Sequence, residues 1–145
     1  MFPADLIRFF RPKKPLAGNS LSPVMGISNI HDRGVFATRP YKKGEYIEKA
    51  PFVPVPADQF LLLRGTCVHF YYFLTGNSET PAVLGLGMAS LYNHSCPSSA
   101  AYEIDMRKKL IYFRAVRSIQ EGEEITINYN GTPDDPAPVT FNTPE

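Results

Sequence analysis

Apolar and polar residues alternate along this chain in short runs, and proline or glycine ends nearly every run. Val24-Met25-Gly26-Ile27 and Gly34-Val35-Phe36-Ala37 read as two strands joined by a His31-Asp32-Arg33 turn. Tyr41-Lys42-Lys43-Gly44 turns into a strand over Glu45-Tyr46-Ile47-Glu48. Phe52 to Val55 favours β structure, and Pro54, which has no N–H to give a ladder, marks it as an edge. Ala57 to Leu63 predicts one or two helical turns, weakened by Gly65, and Phe70-Tyr71-Tyr72-Phe73-Leu74 is aromatic and β-favouring. The clearest hairpin alternates over Tyr102 to Met106, turns at Arg107-Lys108 and alternates back over Leu110 to Arg114. A turn over Ser118 to Gly122 leads into a last strand, Glu124 to Tyr129. Many short strands with irregular connections predict a mostly-β domain with minor α.

Composition sharpens this picture in two places. Fourteen prolines in 145 residues disfavour a bundle of long helices, because each removes a donor and clashes with the preceding turn. The prolines gather at the ends, so the domain is expected over 24–131, between an irregular arm over 1–23 and a proline-rich tail over 132–145. A net charge of +1 argues against a protein that coats nucleic acid, and no direct nucleic-acid partner is required. The basic cluster Arg8, Arg11, Lys13 and Lys14 beside Phe9 and Phe10 is read as a solvated arm. No run approaches the ~20 apolar residues of a membrane helix, and the N-terminus lacks a secretory core, so an intracellular protein, cytoplasmic or nuclear, is expected.

Candidate chemistry is sparse. There is no phosphate-binding Gly-Lys-Ser/Thr loop, and Gly85-Leu86-Gly87 is too short for a dinucleotide fingerprint. Two cysteines, Cys67 and Cys96, cannot build a four-cysteine zinc site or a disulfide scaffold, and no metal is expected. Glu123-Glu124 is read as a solvated hairpin tip. What remains is three polar segments in order: His31-Asp32-Arg33-Gly34-Val35-Phe36-Ala37, then Asn93-His94-Ser95-Cys96, then Gly122-Glu123-Glu124-Ile125-Thr126-Ile127-Asn128-Tyr129.

In this order and spacing they resemble the three markers of the SET-domain protein-lysine methyltransferases, of the minimal type without a zinc-binding post-SET module. The resemblance implies small curved β-sheets around a knot-like C-terminal crossing, and S-adenosylmethionine as methyl donor. It implies that His31, Arg33 and Gly34 hold the donor largely through backbone groups, with Asn93, His94 and Tyr92 lining the same pocket. Tyr129 matches the catalytic tyrosine, and Tyr72 falls where an aromatic of the lysine channel is placed, although a core ring would explain Tyr72 equally well. The implied partner is a protein carrying a lysine tail, histone-like in most of the family. A lysine has a pKa near ~10.4, so about one amine in a thousand is neutral at pH 7.4, and an apolar aromatic channel is needed to shift that balance.

Four departures from the family pattern stand out. Asp32 replaces the first glycine of G-x-G, and Ser99 stands where an asparagine is usual. Glu48-Lys49-Ala50 lacks the usual tyrosine, and no cysteine follows Cys96 to build a post-SET zinc site. Phe141, the only aromatic of the tail, is therefore expected to fold over the cofactor or the channel mouth. So short a chain leaves little for substrate recognition, which makes a homodimer or the tail the expected supplement. The competing reading is a catalytically silent SET-fold module that binds lysine or methyl-lysine by cation–π attraction.

Overall fold

The computed structural model describes residues 22–139. Nine strands and one short helix run in the order β1 (Val24–Ile27), β2 (Arg33–Phe36), β3 (Tyr46–Val55), α1 (Ala57–Phe60), β4 (Tyr72–Leu74), β5 (Ala82–Gly85), β6 (Asn93–His94), β7 (Ala100–Asp105), β8 (Leu110–Ala115) and β9 (Glu124–Ile127). They form a four-stranded sheet, β1-β2-β9-β6, and a five-stranded sheet, β4-β5-β3-β8-β7. The mostly-β expectation holds. The core between the sheets is built from Val35, Ile47, Phe52, Phe73, Val83, Tyr92, Ile111, Phe113, Ile119, Ile125 and Ile127.

β3 is longer than the sequence indicates, because it runs through Pro51 and Pro54. Its first half, from Tyr46 to Pro51, pairs with β8, and its second half, Phe52 to Val55, pairs with β5. Each half therefore has a strand on one flank only. Leu86 N–H donates to the Pro51 carbonyl at 2.9 Å. Antiparallel alternation then puts the bonded positions at 51, 53 and 55, and turns the nitrogen of Pro54 to the open flank. Pro54 does mark an edge, but one inside the middle strand of a sheet. The aromatic run also divides: Cys67–Phe70 is a 3-10 helix, and only Tyr72–Leu74 is strand.

The connection that positions the site is the parallel pairing of β6 with β9, Asn93 opposite Thr126 and His94 opposite Ile127. β9 pairs with β2 on its other side. The last strand ends at Ile127, two residues earlier than the alternation predicts, so Asn128 and Tyr129 leave the sheet. Ser99, in place of the expected asparagine, supports the loop before β7 by reciprocal bonds. Its N–H donates to Thr126 Oγ1 at 3.2 Å, and Thr126 N–H donates to Ser99 Oγ at 2.9 Å. The start of the tail is tied down as well, since Ser98 N–H donates to the Pro133 carbonyl and Asn128 and Asn130 side chains donate to the carbonyls of Asp135 and Ala137. Phe141 lies outside the described residues.

Asp32 sits at φ +41°, in the left-handed region that glycine occupies freely and aspartate tolerates better than most residues. That explains how an aspartate replaces the motif glycine without loss of the turn. The Asp32→Gly variant is expected to be more stable by up to about 1 kcal/mol, since the exposed Asp32–Arg33 pair that it removes contributes little. Urea unfolding measures this, and a destabilised variant would contradict it.

Candidate active site

A polar knot joins the β1–β2 connection to β6 and β9. Asn93 is buried, and its Nδ2 lies 2.8 Å from Glu124 Oε1, 2.9 Å from the Arg33 carbonyl, 3.1 Å from Ser28 Oγ and 3.3 Å from the His31 carbonyl. An amide NH2 carries only two hydrogens, so the two shortest contacts, to Glu124 and Arg33, best describe its bonds. Ser28 Oγ donates to the Glu124 carboxylate and accepts from the Ile30 and His31 N–H groups, which shapes the turn before β2. Gly34 is required here by space: a Cβ would collide with Glu124 Oε1 and lie 3.0 Å from Asn93 Nδ2. One buried amide and one carboxylate thus bind three separated segments.

Beside this knot stands Tyr129. Its N–H donates to His94 Nδ1 at 3.2 Å, and its hydroxyl donates to the Tyr92 carbonyl at 2.9 Å. The two rings are tilted at 5.3 Å. Because Nδ1 accepts, His94 is the neutral tautomer with its proton on Nε2. Burial lowers the His94 pKa below the usual value of 6.5, which favours that neutral form. Burial also raises the Tyr129 hydroxyl above the ordinary phenol, and the nearby Tyr71 adds to the effect. Tyr129 therefore keeps its proton at neutral pH and acts as a donor, while 37% of its surface stays open to solvent.

The structure gathers Asn93, His94, Gly34, the carbonyls of His31 and Arg33, and Tyr129. The side chains of His31 and Arg33 are exposed, and Arg33 Nε pairs with Asp32 at 3.2 Å. Tyr92 presents only its carbonyl, because its ring is 2% exposed and stacks on Phe113 at 4.3 Å. Tyr72 packs against Phe60 and His69, with its hydroxyl 3.4 Å from His69 Nδ1. Its neighbour Tyr71 is the phenol felt by Tyr129. Glu124 is not a solvated hairpin tip: it lies in β9, bonded to Ser28 and Asn93, while Glu123 pairs with Arg117. Its place in the third motif was the available signal; Ser28 carried none. Among the described residues no cluster of His, Cys, Asp or Glu could hold a metal ion, and no helix is long and apolar enough to cross a membrane.

Comparison with known proteins agrees with the motifs. A family model for the SET domain matches residues 32–130. The chain is 29% identical over 98 residues to a histone-lysine N-methyltransferase of Schizosaccharomyces pombe, H3 lysine-37 specific, a match over 67% of this chain and 65% of that protein. The chain thus spans slightly under two thirds of that relative. A solved Plasmodium falciparum structure described as a "putative histone methyltransferase" has a TM-score of 0.62 and 28% identity, covering 74% of this chain and 92% of the other. A humanized mutant of the Chaetomium thermophilum Polycomb Repressive Complex 2 shares the fold at a TM-score of 0.61 and 21% identity, over 78% of this chain and 15% of that one.

Two outcomes follow from this geometry. Gly34→Ala is expected to cost about 2 kcal/mol or more in urea unfolding, because the methyl displaces Glu124 from a bonded position; an unchanged midpoint would contradict the close approach. The His94 pKa is depressed on folding, so its neutral form contributes stability above about pH 6.5 that is lost as pH falls through the lower folded value. Protonation of Nδ1 also ends its bond from Tyr129 N–H. Protection of the Tyr129 amide against exchange, taken relative to its intrinsic rate at each pH, should fall over that acid range, and constant protection would reject the assigned tautomer.

Proposed function

The chain belongs to the SET-domain family, and on that premise we propose that it transfers a methyl group from S-adenosylmethionine to the side-chain amine of a protein lysine. The observation that carries this reading is the Tyr129 hydroxyl held against the Tyr92 carbonyl, beside the Asn93-His94 segment, on a residue that stays partly open to solvent. The donor set suits the methyl donor. The His31 carbonyl, which has only the longest of the Asn93 contacts, suits the ammonium of its amino-acid part, and the exposed Arg33 guanidinium suits the carboxylate. Gly34 leaves the room in which Glu124 and Asn93 meet beside these groups. When bound, S-adenosylmethionine supplies a methyl group activated as a sulfonium.

The protein's own residues then have three tasks. Tyr71 and Tyr129, neighbouring rings that are both part-exposed, offer an apolar wall that disfavours a lysine ammonium and lowers its pKa by desolvation. Tyr72, one residue on, packs with Phe60 and His69, and His69 in turn meets Phe70. The Tyr129 hydroxyl and the Tyr92 carbonyl fix the orientation of the neutral amine, and held geometry of this kind supplies much of the acceleration. No carboxylate base is required, since the proton leaves through water at the exposed side. A histone-like tail is the favoured substrate, a reading supported by the activity named for the fission-yeast relative, and work on such a tail would take place inside the cell. A second reading, lysine binding without turnover, draws on Lys49 and Ala50: Ala50 is buried in the core and Lys49 points at Tyr46 and Tyr112, so neither contributes the ring usual in the family.

Incubation with labelled S-adenosylmethionine, histones and cell extract tests the proposal. Label on lysine is expected, with Tyr129→Phe slower by about 10²–10³-fold and Asn93→Ala impaired in cofactor binding by calorimetry. Neither binding nor transfer by the unaltered protein would overturn the enzyme reading, and binding without transfer would favour the silent module.

A further inference from the structure

Glu48 projects from β3 into the interior, yet nothing in the reaction above uses it. Oε2 accepts from the Tyr92 hydroxyl at 2.8 Å, and Oε1 accepts from the Met88 N–H at 3.1 Å. These donors stand on either side of the 3-10 turn Ala89–Leu91, so one carboxylate grips the entrance and exit of the segment that leads into Asn93-His94. Gly87, at φ +67°, admits the carboxylate, since a Cβ there would lie 2.9 Å from Oε1. At the far end the Tyr92 ring is stacked on Phe113 with an interplanar angle of 19°. Residue 92 cannot rotate without losing the stack or the bond to Glu48. Its carbonyl receives the Tyr129 hydroxyl.

We propose that Glu48 is a positioning residue for methyl transfer, setting the Tyr129 hydroxyl through Tyr92; the proposal rests on the methyltransferase reading. A carboxylate only accepts, so the Tyr92 hydroxyl has one direction in which to donate, and its main chain is fixed accordingly. Burial raises the Glu48 pKa, so its charged form is a cost to the fold that packing alone does not explain. Glutamine keeps both spacings, its oxygen accepting from the Met88 N–H and its NH2 donating to the Tyr92 oxygen in reversed direction, and is the conservative variant.

The test uses the full chain labelled with ¹³Cζ-tyrosine, in Glu48→Ala, Glu48→Gln, Tyr92→Phe and the double variant Glu48→Ala/Tyr92→Phe. Glu48→Ala is expected to lower kcat about tenfold while KM for S-adenosylmethionine stays within about twofold, and Glu48→Gln to recover most of the loss. The Tyr129 resonance and its titration should move in Glu48→Ala and in Tyr92→Phe, with little added in the double variant. A Tyr129 resonance that stays in place, or two losses that multiply independently, would overturn the assignment. The resonance needs no turnover, so it decides on Glu48 even if no substrate is methylated, and if Glu48→Ala fails to fold, Tyr92→Phe and Glu48→Gln carry the comparison.

Discussion

A parallel ladder of two residue pairs, Asn93–Thr126 and His94–Ile127, governs the rest of the molecule. Parallel neighbours need a long crossover, commonly a helix; here the β7–β8 hairpin fills that role. Because β9 is also held by β2, the same strand carries the β1–β2 turn on one side and the Asn93-His94 segment on the other. Tyr129 emerges at the end of that strand, where His94 can bond its N–H. Without the ladder the three motifs would be ordered in sequence and scattered in space.

The polar knot around Asn93 shows how hydrogen bonds between distant segments keep such a site rigid. Buried polar groups cost free energy unless paired, and once all are paired they specify one arrangement. Ser28, Asn93 and Glu124 pair one another across segments 96 and 31 residues apart. Glu48 makes the same bargain on the opposite side of Tyr92. Function, on this reading, is supported from both faces of one short stretch of chain.

How much of this was legible beforehand depended on range. The hairpin over β7 and β8 and the β1–β2 pair follow from local alternation, whereas Asn93, His94 and Tyr129 stand out only through the resemblance of three ordered motifs to the SET family. Ser28 is a plain turn serine until Glu124 meets it, and no local period encodes that meeting. Glu48 is hidden for the same reason, since its partners Met88 and Tyr92 lie on a distant turn. Tyr71 and Tyr72 illustrate a different loss. Where a 3-10 helix passes into a strand, a shift of one residue sends a side chain to the other face, and periodicity alone cannot place the junction.

The half-flanked middle strand has a consequence beyond the site. A strand with an unpaired flank is a template for another chain, and a small β-rich protein is exposed to that hazard while it folds. Pro54 turns a nitrogen without hydrogen to the open flank of β3, and Lys49 places a charge further along the same strand. Both are devices that discourage edge-to-edge aggregation. The proline content that ruled out long helices thus also guards the protein against its own strands.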